Sequence, residues 1–282
     1  MKLRRLIHIG LVLGLCSVSM GAIGQENVAG LFAIGASARA LGLGGAFSAL
    51  ADDESAVFYN PAGLPGQSGI GLASMFVQQF GGVAYGSVTL AMPYVGFSAI
   101  FLDSGPIPVG GGSTRYSSQG VVGSVGLPIG PLGIGARWRF FRVSAPTSGR
   151  GWAIDPAMLL DAEGVRIALI YEGLFASQIE YETGPSEAFD RSLTLGAALR
   201  LQPMREVGWN LAFEASRLFT AYAALAMGVE AWIGGLGARV GFDGAGATFG
   251  LSIRFTALEI DWAYAGRSDL GDSHRVSLSL RF

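Results

Sequence analysis

Lysine is almost missing from this chain: Lys2 is the only one in 282 residues, and charged residues of every kind make up 14%. Cysteine is equally scarce. Cys16 stands alone, so no disulfide framework forms within the chain and thiol chemistry has no second partner. Histidine occurs only at His8 and His274, too few imidazole and thiolate ligands for a zinc centre; no metal site and no cofactor are expected. No basic face is present, which excludes a nucleic-acid partner. What the chain has instead is 50% hydrophobic residues and 44 glycines, too much glycine and too little charge for an ordinary soluble domain. The glycines keep no every-third-residue spacing, so collagen is excluded.

Residues 1–24 read as a cleaved signal peptide. "MKLRR" is the positive n-region, "LIHIGLVLGLCSVSM" the apolar core, and "AIG" (22–24) a small-residue site before Gln25. A retained anchor fits less well, because the core is short, broken by His8 and serines, and followed by no stop-transfer charges. Leu15 is too large for lipoprotein cleavage before Cys16. Cleavage leaves sixteen arginines against 21 acidic residues, a net charge of about −5.

From Gly69 onward the dominant period is two. In "HRVSLSLRF", Val276, Leu278, Leu280 and Phe282 share one face while Arg275, Ser277, Ser279 and Arg281 share the other. "ATFGLSIRF" and "LEIDWAY" alternate in the same way. Such alternation makes strands with one apolar and one polar face. Fourteen segments follow it, near 69–79, 81–93, 94–104, 116–128, 131–144, 150–161, 163–173, 190–203, 205–217, 220–233, 234–244, 245–255, 256–266 and 273–282. Each is long enough for a tilted strand to cross a bilayer.

The connections agree with that reading. Alternate junctions are tight ("PYVG", "PIGP", "DAEG", "QPMRE", "IGG", "FTA"), whereas 104–118 and 174–189 are long. Short periplasmic turns and longer external loops are the pattern of an outer-membrane barrel. Closure also leaves no sheet edge to be satisfied in lipid. The expected fold is all-β: a transmembrane antiparallel β-barrel of about 14 strands over 69–282, in the bacterial outer membrane and in contact with its lipid. An N-terminal plug or periplasmic segment over 25–68, containing a small helix, precedes it.

With the apolar parity toward lipid, the lumen collects Arg137, Arg139, Arg166, Arg200, Arg239, Arg254, Glu172, Glu214, Glu230, Glu259 and Asp261, along with Asp155, Arg275 and Arg281. The signs are nearly balanced, so a one-sign selectivity ring is not indicated. Either a paired network or a polar path satisfies this pattern. Arg142 and Arg217 fall on the outward parity at external strand ends, which suits either snorkelling to lipid phosphates or ordinary placement at the membrane interface.

Catalytic motifs are scarce in the sequence. His274 stands beside Ser273 and close to Asp269 and Asp272, but Ser273 lies on the opposite strand face, out of reach of the base. "GQSGI" (66–70) fails the G-x-S-x-G pattern at its last position. The stretch "LGLGGAFSALADDESAVFYNPAGL" (41–64) lacks the spacing of a dinucleotide fingerprint and of a calcium loop. Its structural reading is a helix capped by Asp52 or Asp53, then a tight turn at Asn60, Pro61 and Gly63. No enzyme is expected.

"GASARALGLGGAFSALADDESAVFYNPAGL" (35–64) resembles the N-terminal signature of the PorV/PorQ family of outer-membrane proteins, relatives of FadL-type transporters. "GWAIDPAMLL" (151–160) and "YAGRSDLGDSHRVSLSLRF" (264–282) extend the likeness. The resemblance marks Gly42, Gly44, Gly45, Asp52, Asp53, Asn60, Pro61 and Gly63 as family motif in the plug. It implies that Leu278, Leu280 and Phe282 are read by the barrel-assembly machinery. For PorV it implies partnership with cargo and components of a type IX-like secretion system, and for FadL-type relatives a lumenal site and strand kink that pass hydrophobic molecules. Two functions follow: a non-enzymatic barrel binding protein partners in secretion or envelope organisation, or a transporter of small hydrophobic compounds. Exposed apolar residues around Ile107, Pro108, Phe175 and Ile179 would favour the first. An apolar cavity beside 41–64 would favour the second.

Overall fold

A computed structural model describes residues 30–79, 83–144, 148–266 and 272–282. The signal-peptide expectation and Asp269 lie outside them. The chain opens with three short helices, α1 (Gly30–Ala33), α2 (Ala38–Gly42) and α3 (Ala56–Tyr59), and a 3-10 helix (Pro61–Gly66). Strands β1 (Gly71–Gln79), β2 (Val83–Met92), β3 (Val95–Val109), β4 (Gly112–Ile129), β5 (Leu132–Ser144), β6 (Gly149–Ala162) and β7 (Val165–Glu172) follow. Three short strands come next: β8 (Phe175–Ala176), β9 (Gln178–Tyr181) and β10 (Glu187–Ala188). The wall is completed by β11 (Ser192–Met204), β12 (Val207–Leu218), β13 (Ala224–Ile233), β14 (Leu236–Phe242), β15 (Ala247–Phe255), β16 (Leu258–Ala265) and β17 (Ser273–Arg281).

Strands β1–β7 and β11–β17 form one antiparallel ring, closed where Gly71 to Gln78 of β1 pair with Arg281 to His274 of β17. That is a closed barrel of 14 strands, with no free edge. The period-two pattern sets which way each side chain points. In β17, Ser273, Arg275, Ser277 and Ser279 are buried inside, while Val276, Leu278 and Leu280 are exposed to the lipid side. A slip of one residue would put all of these on the wrong face, so odd shifts of register are excluded.

The two long connections carry more strand than the sequence indicates. Residues expected as a loop over 104–118 extend β3 and β4 into a hairpin, with a register shift between Asp103 and Pro106. The shift occurs where Gly105 takes φ +63° and its N–H bonds Asp103 Oδ1. In the second connection, β8 and β9 continue the line of β7 along the upper half of β6. Between the two paired stretches, Asp155 and Pro156 have no ladder partner on that side. Gly173 takes φ +68° and sends its N–H to Asp155 Oδ1 at 2.7 Å instead. Proline has no N–H to offer the ladder. The wall is therefore interrupted at Asp155–Pro156, and the Asp155 carboxylate bridges the interruption.

Candidate functional site

Residues 30–66 lie inside the barrel. Close approach to the wall is made possible by glycine on both sides. Gly44 has φ +71°, and a Cβ there would lie 2.3 Å from the Phe242 carbonyl oxygen. Gly42 packs on Gly250, and Gly241 receives the Gly44 backbone. The turn at Pro61 and Ala62 rests on Gly126, Gly133 and Gly135, and Gly63 abuts the Ala51 carbonyl. Gly45, at φ +87°, has open space beside it.

A short irregular segment leaves many backbone groups outside any ladder, and burial demands that they be paired. The inward wall residues pair them. Tyr85 donates to Gly35 O at 2.6 Å, Ser124 to Val57 O at 2.6 Å and Thr248 to Gly42 O at 3.2 Å. Arg137, Arg166 and Arg275 donate to the carbonyls of Phe58, Leu50 and Ile34. Glu214 accepts from the Phe47 and Ser48 amides at 3.2 and 2.8 Å, and Ser277 from Ala38 at 2.8 Å.

Two charge clusters complete the anchoring. In the lower one, Arg39 of the inner segment bonds Glu230 through two nitrogens at 2.8 and 2.7 Å, and Asp52 and Asp53 at 2.6 and 2.8 Å. Glu230 also accepts from Arg239 and Asn210, each at 2.6 Å, and Asp52 from Arg200 at 2.5 Å. Arg239 lies 3.3 Å from Asp261. Arg281 joins Glu54 and Glu259, and Arg254 joins Glu259 at 2.8 Å while stacking on Trp232 at 4.1 Å. In the upper cluster, Asp155 holds Arg137 and Arg139 at 2.7 Å each, and Arg137 reaches Glu172 at 2.6 Å.

The expected helix cap is corrected by this arrangement. Asp52 is drawn into the Arg39–Arg200 pair, and Ser55 occupies the cap position of α3 without a side-chain cap bond. Asp53 accepts the Ser55 N–H at 2.9 Å, so its capping is of the preceding turn. Asn60 does cap the 3-10 helix, accepting from Ala62 at 3.0 Å, while its amide donates to Ser48 O at 2.9 Å.

The inner segment divides the lumen in two. On the periplasmic side is a polar recess of about 300 Å³ bounded by Asp53, Glu54, Gln67, Arg254 and Arg281. On the external side is a larger cavity of about 350 Å³. Its floor is Phe32, Ile34, Phe58 and Tyr59 of the inner segment, and its wall includes Ile170 and Phe189. Phe32 stacks edge-on with Phe141, and Phe141 with Phe189, at 6.5 and 5.3 Å. Arg139 lies over both Phe32 and Phe189. Burial raises the Tyr59 phenol above its ordinary 10, so it is neutral. Glu172, beside the interruption at Asp155–Pro156, lines the same cavity.

The remaining candidates sit elsewhere. Leu278, Leu280 and the terminal Phe282 are exposed on the lipid side, with Phe282 exchanging backbone bonds with Ile70. His274 also points outward, between Trp262 and Tyr264 at 5.9 and 5.3 Å, while Ser273 points inward. Arg217, at φ +52°, borders the cavity mouth. Among the described residues no group of three or more His, Cys, Asp and Glu is arranged to hold a metal ion.

No family model matches the chain, and no curated protein matches it in sequence. Solved structures match its fold. The CymD monoaromatic hydrocarbon channel aligns with TM-score 0.57 at 12% identity, covering 88% of this chain and 98% of that one. The P. putida toluene transporter TodX aligns with TM-score 0.56 at 11% identity, covering 88% of this chain and 99% of that one. At these identities the likeness is one of fold. The chain is an outer-membrane β-barrel that shares its fold with this channel and this transporter.

Proposed function

We propose that this barrel carries small hydrophobic molecules across the outer membrane. The observation that carries the reading is the external cavity: it is floored by aromatic and aliphatic side chains of residues 32–59 and adjoins the interruption in the wall at Asp155–Pro156. A cavity of about 150 Å³ already holds benzene, so 350 Å³ accommodates a substituted single ring. Of the charges that line this cavity, Arg137, Arg139, Glu172, Glu214 and Arg275 are engaged with one another, with Asp155 or with the inner segment's backbone, and Asp190, Arg217 and Asp243 stand toward its external rim. A molecule entering from outside would rest on Phe32 and Tyr59, and displacement of the Asp155 bridge would open a sideways route into the bilayer.

The protein-partner role that the PorV/PorQ resemblance implies draws less support. Ile107 and Pro108 are exposed on the external hairpin. Phe175, however, stands beside Ile154 in a lipid-facing row, and Ile179 is fully buried. Ile107, Pro108, Phe175 and Ile179 therefore do not come together as one exposed apolar ring.

The test is uptake of radiolabelled toluene by Gram-negative cells lacking their own hydrocarbon channels, with and without this protein in the outer membrane. Faster uptake is expected. Equal uptake in both, with the barrel shown to be inserted, would overturn the proposal.

A further inference from the structure

Arg142 on β5 and Arg150 on β6 are direct cross-strand partners, and both point outward. Like charges directly opposite one another destabilise a strand pair. Among the described residues neither side chain makes a hydrogen bond or ion pair, in contrast to the lumenal arginines. The neighbouring outward residue on β4 is Gln119, a neutral donor. On the far side Glu180 of β9 stands opposite Arg150 without pairing to it.

The position of the doublet narrows what can neutralise it. One outward row toward the bilayer centre, Val121, Phe140 and Trp152 are register partners and all exposed to lipid. The next row brings Phe97, Trp138 and Ile154 together. Aromatic side chains of this kind mark the level where acyl chains give way to headgroups. Beyond the arginines on the external side, β5 offers only buried Val143 and half-buried Ser144. The guanidinium groups therefore stand at headgroup height in the outer leaflet, above an aromatic ledge that would carry acyl chains. Arginine forks match phosphate oxygens two at a time.

We propose that Arg142 and Arg150, with Gln119 beside them, form a binding site for a phosphorylated lipid headgroup of the outer leaflet. The two arginines bind phosphate oxygens, and Phe140 and Trp152 seat the first carbons of the acyl chains. This site is on the outside of the barrel and independent of anything the lumen transports.

The test uses the purified full chain in detergent and a synthetic diphosphorylated lipid A, with the dephosphorylated lipid as control and binding followed by native mass spectrometry. The wild type is expected to retain the phosphorylated lipid and to lose it in high salt, since exposed charge pairs are screened. Arg142→Gln and Arg150→Gln should each weaken retention about tenfold, the worth of one charge-assisted hydrogen bond. Inorganic phosphate at matched concentration should not displace the lipid, because it lacks the chains that rest on Phe140 and Trp152. Equal retention of the dephosphorylated lipid, or unchanged retention by the double variant, would overturn the proposal. Displacement by inorganic phosphate would overturn it as well, showing a plain anion site. The dephosphorylated-lipid comparison needs no variant, so a folding defect cannot obscure the result.

Discussion

Arg39 and Glu230 meet inside the barrel as a two-pronged ion pair, Nε to Oε1 at 2.8 Å and Nη2 to Oε2 at 2.7 Å. One partner belongs to α2 of the inner segment and the other to β13 of the wall, 191 residues apart in the chain. Through Asp52 and Asp53 the same guanidinium gathers the loop that follows. Arg39 thus joins three stretches of chain that share no ladder hydrogen bonds.

Arg39→Gln is expected to unseat the inner segment while leaving the wall intact. Removing one member of a buried pair costs on the order of 3–5 kcal/mol, because the other charge is left without compensation. Planar-bilayer recordings of the variant should show raised, noisy ion conductance where the wild type is nearly silent. A deletion of residues 25–64 should show steady conductance. A wild type that conducts as freely as the deletion would remove the basis for a seated plug.

The loop carboxylate gives this closure a pH limit. Burial alone would raise the Asp52 carboxyl, but Arg39 and Arg200 overcome burial and hold it below its ordinary 3.8. A depressed carboxyl contributes stability above 3.8 and loses it as pH falls through the lowered value. Conductance should therefore stay low from about pH 7 to pH 4 and rise only below that. Opening near pH 6 would show that some other group controls the seat.

Gly44→Val tests the close approach. The substitution requires φ +71° of a β-branched residue and drives a Cβ to 2.3 Å from the Phe242 carbonyl. Residues around 44 should become accessible to added protease, whereas Gly45→Ala, with open space beside it, should be affected less. Equal protection of both variants would count against the packing described.

Thr194→Trp places a large ring in the external cavity from a wall position that lines it. Toluene uptake should fall severalfold, with heat-modifiable migration on gels, the mark of a folded barrel, unchanged. Uptake at the wild-type rate would locate the route elsewhere.

Much of the wall is legible in the sequence because side-chain direction along a strand is a local property. Val276, Leu278 and Leu280 against Arg275, Ser277 and Ser279 identify β17 and its lipid face without any knowledge of its neighbours. The same parity places Arg137, Arg139, Arg239 and Glu230 inside. It is silent where regular alternation stops: the residues of β8 and β9 read as loop, although they carry the barrel wall beside β6.

The partners of these residues are a different matter. Arg39 belongs to Glu230, Asp155 bridges a gap opened by Pro156 and Gly173, and Arg142 faces Arg150 only because β5 and β6 pair in one register. Nothing in the alternation fixes that register, since a slip of two residues preserves every face. Sequence alone determined the barrel, its strand number and the side that residues of the regularly alternating strands show to lipid or lumen. Only the tertiary structure decided the seating of residues 30–66, the cavity they leave and the pairing of the charges, because these depend on contacts between segments far apart in the chain.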